Sequence, residues 1–422
     1  MTLKAALRRI LLFPIAPRWM VWGLGLLRMV GLIPKRMQGR WPPQRILIVN
    51  LTSYLGDTLM TLPLVDALHQ AAPTAEIDFV IEPPMDRVLR TLSVLRRVCG
   101  FSPRKTRVPV LGNYLRVAAM VRFARHHFMG ERYDLALLPR WGTDPSLSQY
   151  LAAMSSAPRV CGFDPAVETA AEQTFPEMRR MLTLASAGGE GMAEGTRQKL
   201  LLVDCGLIDR FDPSVEERRT VESAAALGAG VDLDLLLGRL GLPQDRPLIL
   251  LAPGASHPSR RWPLERFASA GLELSRRTGA AVCSIGGSGD RVLGARLESI
   301  SHGVVRDLAG QTSVQETVAL VGRASLLVTN DSGPAHVGGS VGTPTLVLSA
   351  CPKTSVQEHP NSPRRVRPVG PKVVVLQPDV PSEGCGERCT AATAHCINGI
   401  AVDAVERFGR RMLEAFPRSA GG

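Results

Sequence analysis

A chain of 422 residues with 45% hydrophobic and 21% charged residues has the apolar content of a large buried core and lacks the signature of disorder. Aromatic residues make up only 5%, so that core is aliphatic. The net charge of +12 is uneven: residues 1–44 hold Lys4, Arg8, Arg9, Arg18, Arg28, Lys35, Arg36 and Arg40 and no acid, the first being Asp57. Such asymmetry predicts a polyanionic partner, nucleic acid or membrane. Residues 10–34 favour the membrane over nucleic acid, because Trp19, Trp22, Leu24, Leu26, Leu27 and Met29 lie among the basic residues. Trp and Arg in an aliphatic stretch suit the bilayer interface. Arg18 and Arg28 interrupt any uncharged run, and Pro14 and Pro17 break it further, so the expectation is a segment lying on an anionic inner leaflet. The alternatives are a true membrane span and a helical arm packed on the domain that follows. No small-residue cleavage site stands out, so no secretion signal is expected.

Strands and helices then alternate. RILIVNL (45–51) is a buried strand, residues 59–72 have helical spacing, and EIDFVI (76–81), YDLALLP (133–139) and PRVCGF (158–163) are further strands. Residues 185–232 lack strand signals and hold the interdomain link late in the stretch. The pattern restarts with PLILLAPG (247–254), a helix over 264–277, AAVCSIGG (280–287), VVRDLAG (304–310), SLLVTND (325–331) and TPTLVL (343–348), and closes with a helix over 402–413. The expected class is α/β, with two Rossmann-like doubly wound domains facing a central cleft. Its divisions are a basic apolar membrane-associating segment (1–44), an N-terminal domain (45–232) and a C-terminal domain (233–422).

Four strand-to-helix loops carry candidate chemistry. In NLTSYLGDTLMTLP (50–63), Asp57 is either a helix cap or a general base, since an ionised carboxylate can take a proton from an attacking hydroxyl. APGASHPSRRWPLERF (252–267) puts Gly254, Ser256, Arg260, Arg261 and Trp262 before a helix opened by Pro263. Such a loop suits a diphosphate, or is a solvated basic turn. IGGSGD (285–290) fails the dinucleotide fingerprint because position 292 is Val292, but its amides and Asp290 could meet a nucleotide and its ribose. In TNDSGPAHVGGSVGTPT (329–345), Asp331, Ser332 and Gly333 end a strand and His336 lies one turn into the next helix. That geometry favours an anion site over a core histidine.

Together these loops resemble glycosyltransferase family 9, the ADP-heptose:lipopolysaccharide heptosyltransferases. The family's L-G-D with a later proline is matched by Leu55, Gly56, Asp57 and Pro63, and its P-G-x-x-x-x-K-x-W-P by Pro253, Gly254, Arg260, Trp262 and Pro263. D-L-x-G-x-T-S is matched by Asp307, Leu308, Gly310, Thr312 and Ser313, and D-S-G-x-x-H by Asp331, Ser332, Gly333 and His336. Arg260 departs from the usual lysine, and Gly338 and Gly339 from the usual alanines. The resemblance implies a GT-B fold and an inverting, metal-independent glycosyltransferase that takes a sugar, heptose in the best-known members, from a nucleotide diphosphate donor such as ADP-heptose. It implies Asp57 as base and a donor site in the C-terminal domain; with the loop residues above, the candidates there are Gly254, Ser256, Arg260, Trp262, Asp290, Thr312, Asp331, Ser332, Gly333 and His336. The acceptor would be lipopolysaccharide core or a related anionic glycolipid, met by Arg104, Lys105 and Arg107, or by Arg122, Arg125, His126 and His127. Rival readings are a two-domain sugar-nucleotide epimerase and a noncatalytic membrane-associated glycan-binding protein.

No cofactor and no metal are expected. Cys99, Cys161, Cys205, Cys283 and Cys351 are scattered singly, as buried thiols of a cytosolic protein are. CGERCTAATAHC gathers Cys385, Cys389, His395 and Cys396, but its spacing fits no standard zinc signature.

Overall fold

A computed structural model of the chain describes residues 17–102, 109–141, 146–164, 176–189, 191–355, 362–385 and 391–417. The chain packs into two compact units. One comprises residues 1–53, 64–190 and 197–210, the other residues 54–63, 191–196 and 211–422.

The first unit is built on six parallel strands: β1 (Arg45–Asn50), β2 (Glu76–Ile81), β3 (Arg97–Gly100), β4 (Leu135–Leu138), β5 (Arg159–Phe163) and β6 (Leu184–Ser186). Their order is β3-β2-β1-β4-β5-β6. The second unit repeats this topology with β7 (Leu248–Ala252), β8 (Ala281–Ser284), β9 (Val305–Asp307), β10 (Leu326–Asn330), β11 (Thr345–Leu348) and β12 (Val373–Leu376), in the order β12-β11-β10-β7-β8-β9. All pairings in both sheets are parallel. Each sheet is therefore a doubly wound Rossmann sheet whose strand order reverses beside its first strand. The central strands β7 and β10 are buried at every position, as parallel strands covered on both faces must be; β7 reads as an unbroken apolar run, and β10 as one that ends in the polar Thr329 and Asn330.

The nine expected strands all form. The short edge strands β3, β6 and β12 escaped sequence reasoning, and β6 overlaps the start of the stretch that lacks strand signals. From there to residue 240 the chain runs through short helices, among them Leu200–Asp204, Glu222–Ala226 and Leu233–Leu240.

The first unit has two devices that fix its ends. Asp78 sits buried in mid-strand, which is tolerable only with charged partners: Arg96 and Arg97 pair with it, the latter at 2.8 Å, and Tyr133 donates its hydroxyl at 2.6 Å. Asp134 accepts from the backbone amides of Arg40 (2.7 Å), Gln44 (2.9 Å) and Arg45 (3.0 Å). That second device ties down the basic segment. A helix spans Pro17–Met29, and Leu24 and Ile33 join the apolar core of the first unit. Arg28 does not reach outward as an interfacial arginine would: its guanidinium donates to the carbonyls of Pro34, Ala153 and Ser155. Leu26, Met29 and Val30 stay exposed on the same segment. No helix among the described residues is long and apolar enough to cross a membrane.

Candidate active site

In a doubly wound sheet, ligands bind beyond the carboxyl ends of the strands where the strand order reverses. In the second unit that point lies between β7 and β10, and a cavity of about 680 Å³ opens there. The loops after β7, β8, β9 and β10 line it, joined by residues 54–57 and Met60 of the same unit. Parallel strands that end together deliver their loops together, so residues far apart in sequence converge.

The loop after β10 gives the most defined geometry. Asp331 directly follows the strand, Ser332 caps the helix Gly333–Ser340, and Pro334 sits in its first turn, where a missing amide costs nothing. His336, the fourth residue of that helix, is buried and lines the cavity. Burial, and then the charge of Arg260, push its imidazole down from the ordinary value of 6.5 to about 4. At neutral pH it is an uncharged N–H donor, not the cation that an anion-site histidine brings to mind.

Arg260 ends the single 3-10 turn Pro258–Arg260 in the loop after β7. Its Nη2 donates to the Asp331 carbonyl at 2.7 Å and to the Asp331 carboxylate at 2.9 Å. Among the described residues only that nitrogen is engaged, so the rest of the guanidinium remains to meet an anion. Asp331 is buried, and the cost of desolvation raises its carboxyl above the ordinary carboxylate range although Arg260 pulls the other way. Arg261 turns away, with Nε and Nη2 on the Ala255 carbonyl at 3.1 and 2.9 Å. Trp262 does not face the cavity. It is 1% exposed, packs edge-on against Phe267 at 5.1 Å, and donates Nε1 to the Ile400 carbonyl at 3.0 Å. Its amide donates to Asn330 Oδ1 at 3.0 Å, and Asn330 Nδ2 donates to the Pro253 carbonyl at 2.7 Å, so Asn330 stitches both ends of the loop to β10. Pro263 is the cap of the following helix, one position earlier than expected.

Two close approaches explain glycines here. A methyl group at Gly254 would stand 2.5 Å from Asp290 Oδ1, so only glycine lets the two loops meet. Asp290 is itself fixed, its Oδ2 accepting from the Gly287 amide at 3.0 Å. A methyl at Gly56 would stand 3.1 Å from His336 Cδ2, which sets the start of the helix Leu55–Ala71 directly against the imidazole. Asp57 is the third residue of that helix and lines the cavity; it lies inside the first turn and is not the cap. Gly254, Ser256, Asp290, Thr312, Ser332 and Gly333 line the cavity as well. Thr312 is held by a 2.8 Å hydroxyl contact to Thr317, which also lines the cavity and was missed in the sequence. Tyr54, 65% exposed at the cavity, was missed too, although an aromatic directly before L-G-D is a visible signal.

Arg104, Lys105 and Arg107 lie outside the described residues, as does Cys389. Arg122, Arg125 and His126 are exposed on the helix Pro109–His127. His127 instead packs against Phe123, ring centroids 4.3 Å apart and tilted by 37°, with Nδ1 3.6 Å from Cys99 Sγ.

Residues 212–388 match the family model for glycosyltransferase family 9 (heptosyltransferase). Lipopolysaccharide heptosyltransferase 2 of Salmonella typhimurium is 31% identical over 148 residues, covering 34% of this chain and 40% of the relative, so the chain spans about two fifths of the length of that relative. Among solved structures, a family 9 glycosyl transferase from Veillonella parvula superposes with a TM-score of 0.67 at 20% identity, over 90% of this chain and 99% of the other. The E. coli ADP-heptose lps heptosyltransferase II superposes with a TM-score of 0.64 at 20% identity, over 88% and 99%. The two-Rossmann GT-B fold of those enzymes is the fold of this chain.

Proposed function

We propose that this chain, whose residues 212–388 match the family model for glycosyltransferase family 9, is a member of that family and transfers a heptose from ADP-heptose to the lipopolysaccharide core or a related anionic glycolipid. The observation that carries the reading is the single cavity that collects Asp57, Arg260, His336 and the amino end of the helix Gly333–Ser340. Its ingredients are those of a displacement in which negative charge grows on a departing diphosphate. The relatives named for ADP-heptose and lipopolysaccharide support the donor and acceptor classes.

In the proposed reaction Asp57 takes the proton of an acceptor hydroxyl. The hydroxyl oxygen bonds the anomeric carbon from the face opposite the diphosphate, the carbon–oxygen bond to the diphosphate breaks, and the configuration inverts. The charge left on the nucleoside diphosphate is met by the free edge of Arg260, the neutral His336 N–H and the helix amides after Ser332. A neutral donor suits this task, because its hydrogen bond strengthens as the charge develops. No metal ion is required by this scheme. Arg104, Lys105 and Arg107 are proposed to hold the phosphorylated acceptor, and the exposed Leu26, Met29 and Val30, with the basic residues of the same segment, to hold the protein on the cytoplasmic leaflet that presents it.

Calorimetry with ADP-heptose, ADP and adenosine, paired with transfer to heptose-deficient lipopolysaccharide, tests the reading. Binding of ADP without transfer to any lipopolysaccharide acceptor would leave a nucleotide-binding protein; absence of both would sink the proposal.

A further inference from the structure

The ligand atoms of Cys385, His395 and Cys396 lie within 4.8 Å of one another, in the second unit. His395 Nδ1 is 3.6 Å from Cys396 Sγ. A tetrahedral zinc ion with Zn–S near 2.3 Å and Zn–N near 2.05 Å places its sulfur and nitrogen ligands about 3.6 Å apart and two sulfurs about 3.8 Å apart. That S···N edge equals the tetrahedral value, and the other two edges are no longer than 4.8 Å. Cys396 is buried, and its sulfur accepts a hydrogen bond from the Ser382 amide at 3.4 Å, the kind of contact that stabilises a metal-bound thiolate. Two sulfurs and an imidazole form a soft donor set that selects zinc over magnesium or calcium.

We propose that Cys385, His395 and Cys396 bind a structural zinc ion. Sequence spacing concealed the site because it has no paired-cysteine knuckle. One ligand comes from the turn closed by the Cys385 amide on the Ser382 carbonyl (3.0 Å), and the other two open the single turn Cys396–Gly399. On binding, the two thiols lose their protons to solvent and the imidazole coordinates in its neutral form. The ion pins the segment whose next residues brace the donor loop. The Asn398 carbonyl accepts from Arg266 at 2.7 Å, and the Ile400 carbonyl accepts from Arg266 and from Trp262 Nε1, both at 3.0 Å. Trp262 is two residues from Arg260, so the site is built to hold a loop, and the displacement chemistry is not routed through it.

The test uses the full chain with any affinity tag removed, grown with added zinc. Elemental analysis should find about one zinc per chain in wild type. Cys385→Ser and Cys396→Ser should fall to background, and Cys205→Ser, away from the cluster, should keep the metal. If the cluster variants fail to fold, wild type decides alone: reduced, metal-free protein titrated with cobalt(II) should develop the thiolate-to-cobalt charge-transfer band and the visible bands of a tetrahedral ion. Metal retained equally by all variants, a disulfide within the cluster of the metal-free protein as isolated, or no cobalt spectrum from reduced protein would each overturn the assignment.

Discussion

His336 offers a prediction with a magnitude. Its imidazole is buried beside Arg260 and held near 4, against 6.5 for an ordinary histidine. The folded value lies below the unfolded one, so as pH falls below 6.5 the unfolded chain takes up a proton that the native state refuses. The stability tied to the neutral imidazole is therefore complete above 6.5, is lost as pH falls towards 4, and declines no further once both states are protonated. At 1.36 kcal/mol per unit the whole loss is about 3 kcal/mol, of which about 2 kcal/mol falls between pH 7 and pH 4.5. Asp331 acts with the opposite sign, because its raised carboxyl supplies stability at low pH that fades as pH rises. Comparing wild type with His336→Gln at both pH values subtracts that contribution. A two-unit chain need not unfold in one step, so the primary readout is the titration of the His336 ring carbon by NMR, assigned from the spectrum of His336→Gln. Urea melts at the two pH values supply the energy. A ring that titrates near 6.5, or melts whose wild-type and variant stabilities shift equally with pH, would refute the reasoning.

The remaining expectations concern the proposed reaction. Asp57→Asn should lower kcat by about 10²- to 10⁴-fold while ADP affinity by calorimetry stays at the wild-type value, because the base acts only as the acceptor attacks. Arg260→Ala should weaken ADP by about tenfold or more and leave adenosine unchanged, and Arg260→Lys should recover only part of the loss, since a point charge cannot hold Asp331 and a phosphate as a fork does; equal losses for ADP and adenosine would indicate a displaced loop. Added Mg²⁺ should not raise the rate of transfer in a buffer free of divalent cations, and a strong activation would require the leaving-group chemistry to be rewritten. Leu26→Asp with Met29→Asp should release the protein from anionic vesicles in a flotation assay, at low and high salt, without loss of thermal stability, because both side chains are exposed; retention on the vesicles would place the membrane contact elsewhere. Wholesale removal of residues 1–40 is not a clean version of this test, since Leu24 and Ile33 belong to the core of the first unit.

The central strands were legible because a strand covered on both faces carries an apolar run, as in ILIV of β1 and LILLA of β7. The edge strand β6, Leu184–Ser186, is three residues long, with Leu184 and Ala185 only partly covered and a polar Ser186, so no such run exists to be read. The cavity-lining loops were legible for a different reason. A diphosphate needs close backbone approach and helix ends, and those demands write glycine, proline and serine at set distances from a strand end. What a loop does once folded was less visible. Nothing in P-S-R-R-W-P says that Arg260 turns to Asp331, that Arg261 folds back onto Ala255, or that Trp262 points into the core, because each depends on a partner from a distant strand or turn. The same holds for His336, whose charge state follows from burial and from Arg260, neither of which a motif records.

The two sheets share one strand order, yet the cavity described above lies at the reversal point of the second. Topology offers such a crevice twice; the loops decide its use. After β7 the chain enters Pro253–Gly254 and can approach another loop closely, whereas after β1 it enters Leu51–Thr52, both buried within the fold. After β10 a proline-opened helix presents its amide end, with an imidazole one turn in. The segment that follows β1 is placed differently. Residues 54–63 pack as part of the second unit and bring Asp57 to the cavity wall beside Gly56, whose missing side chain admits the His336 ring. A duplicated fold has thus been specialised by loop chemistry: one strand end contributes the candidate base, and four others contribute the groups suited to a departing diphosphate.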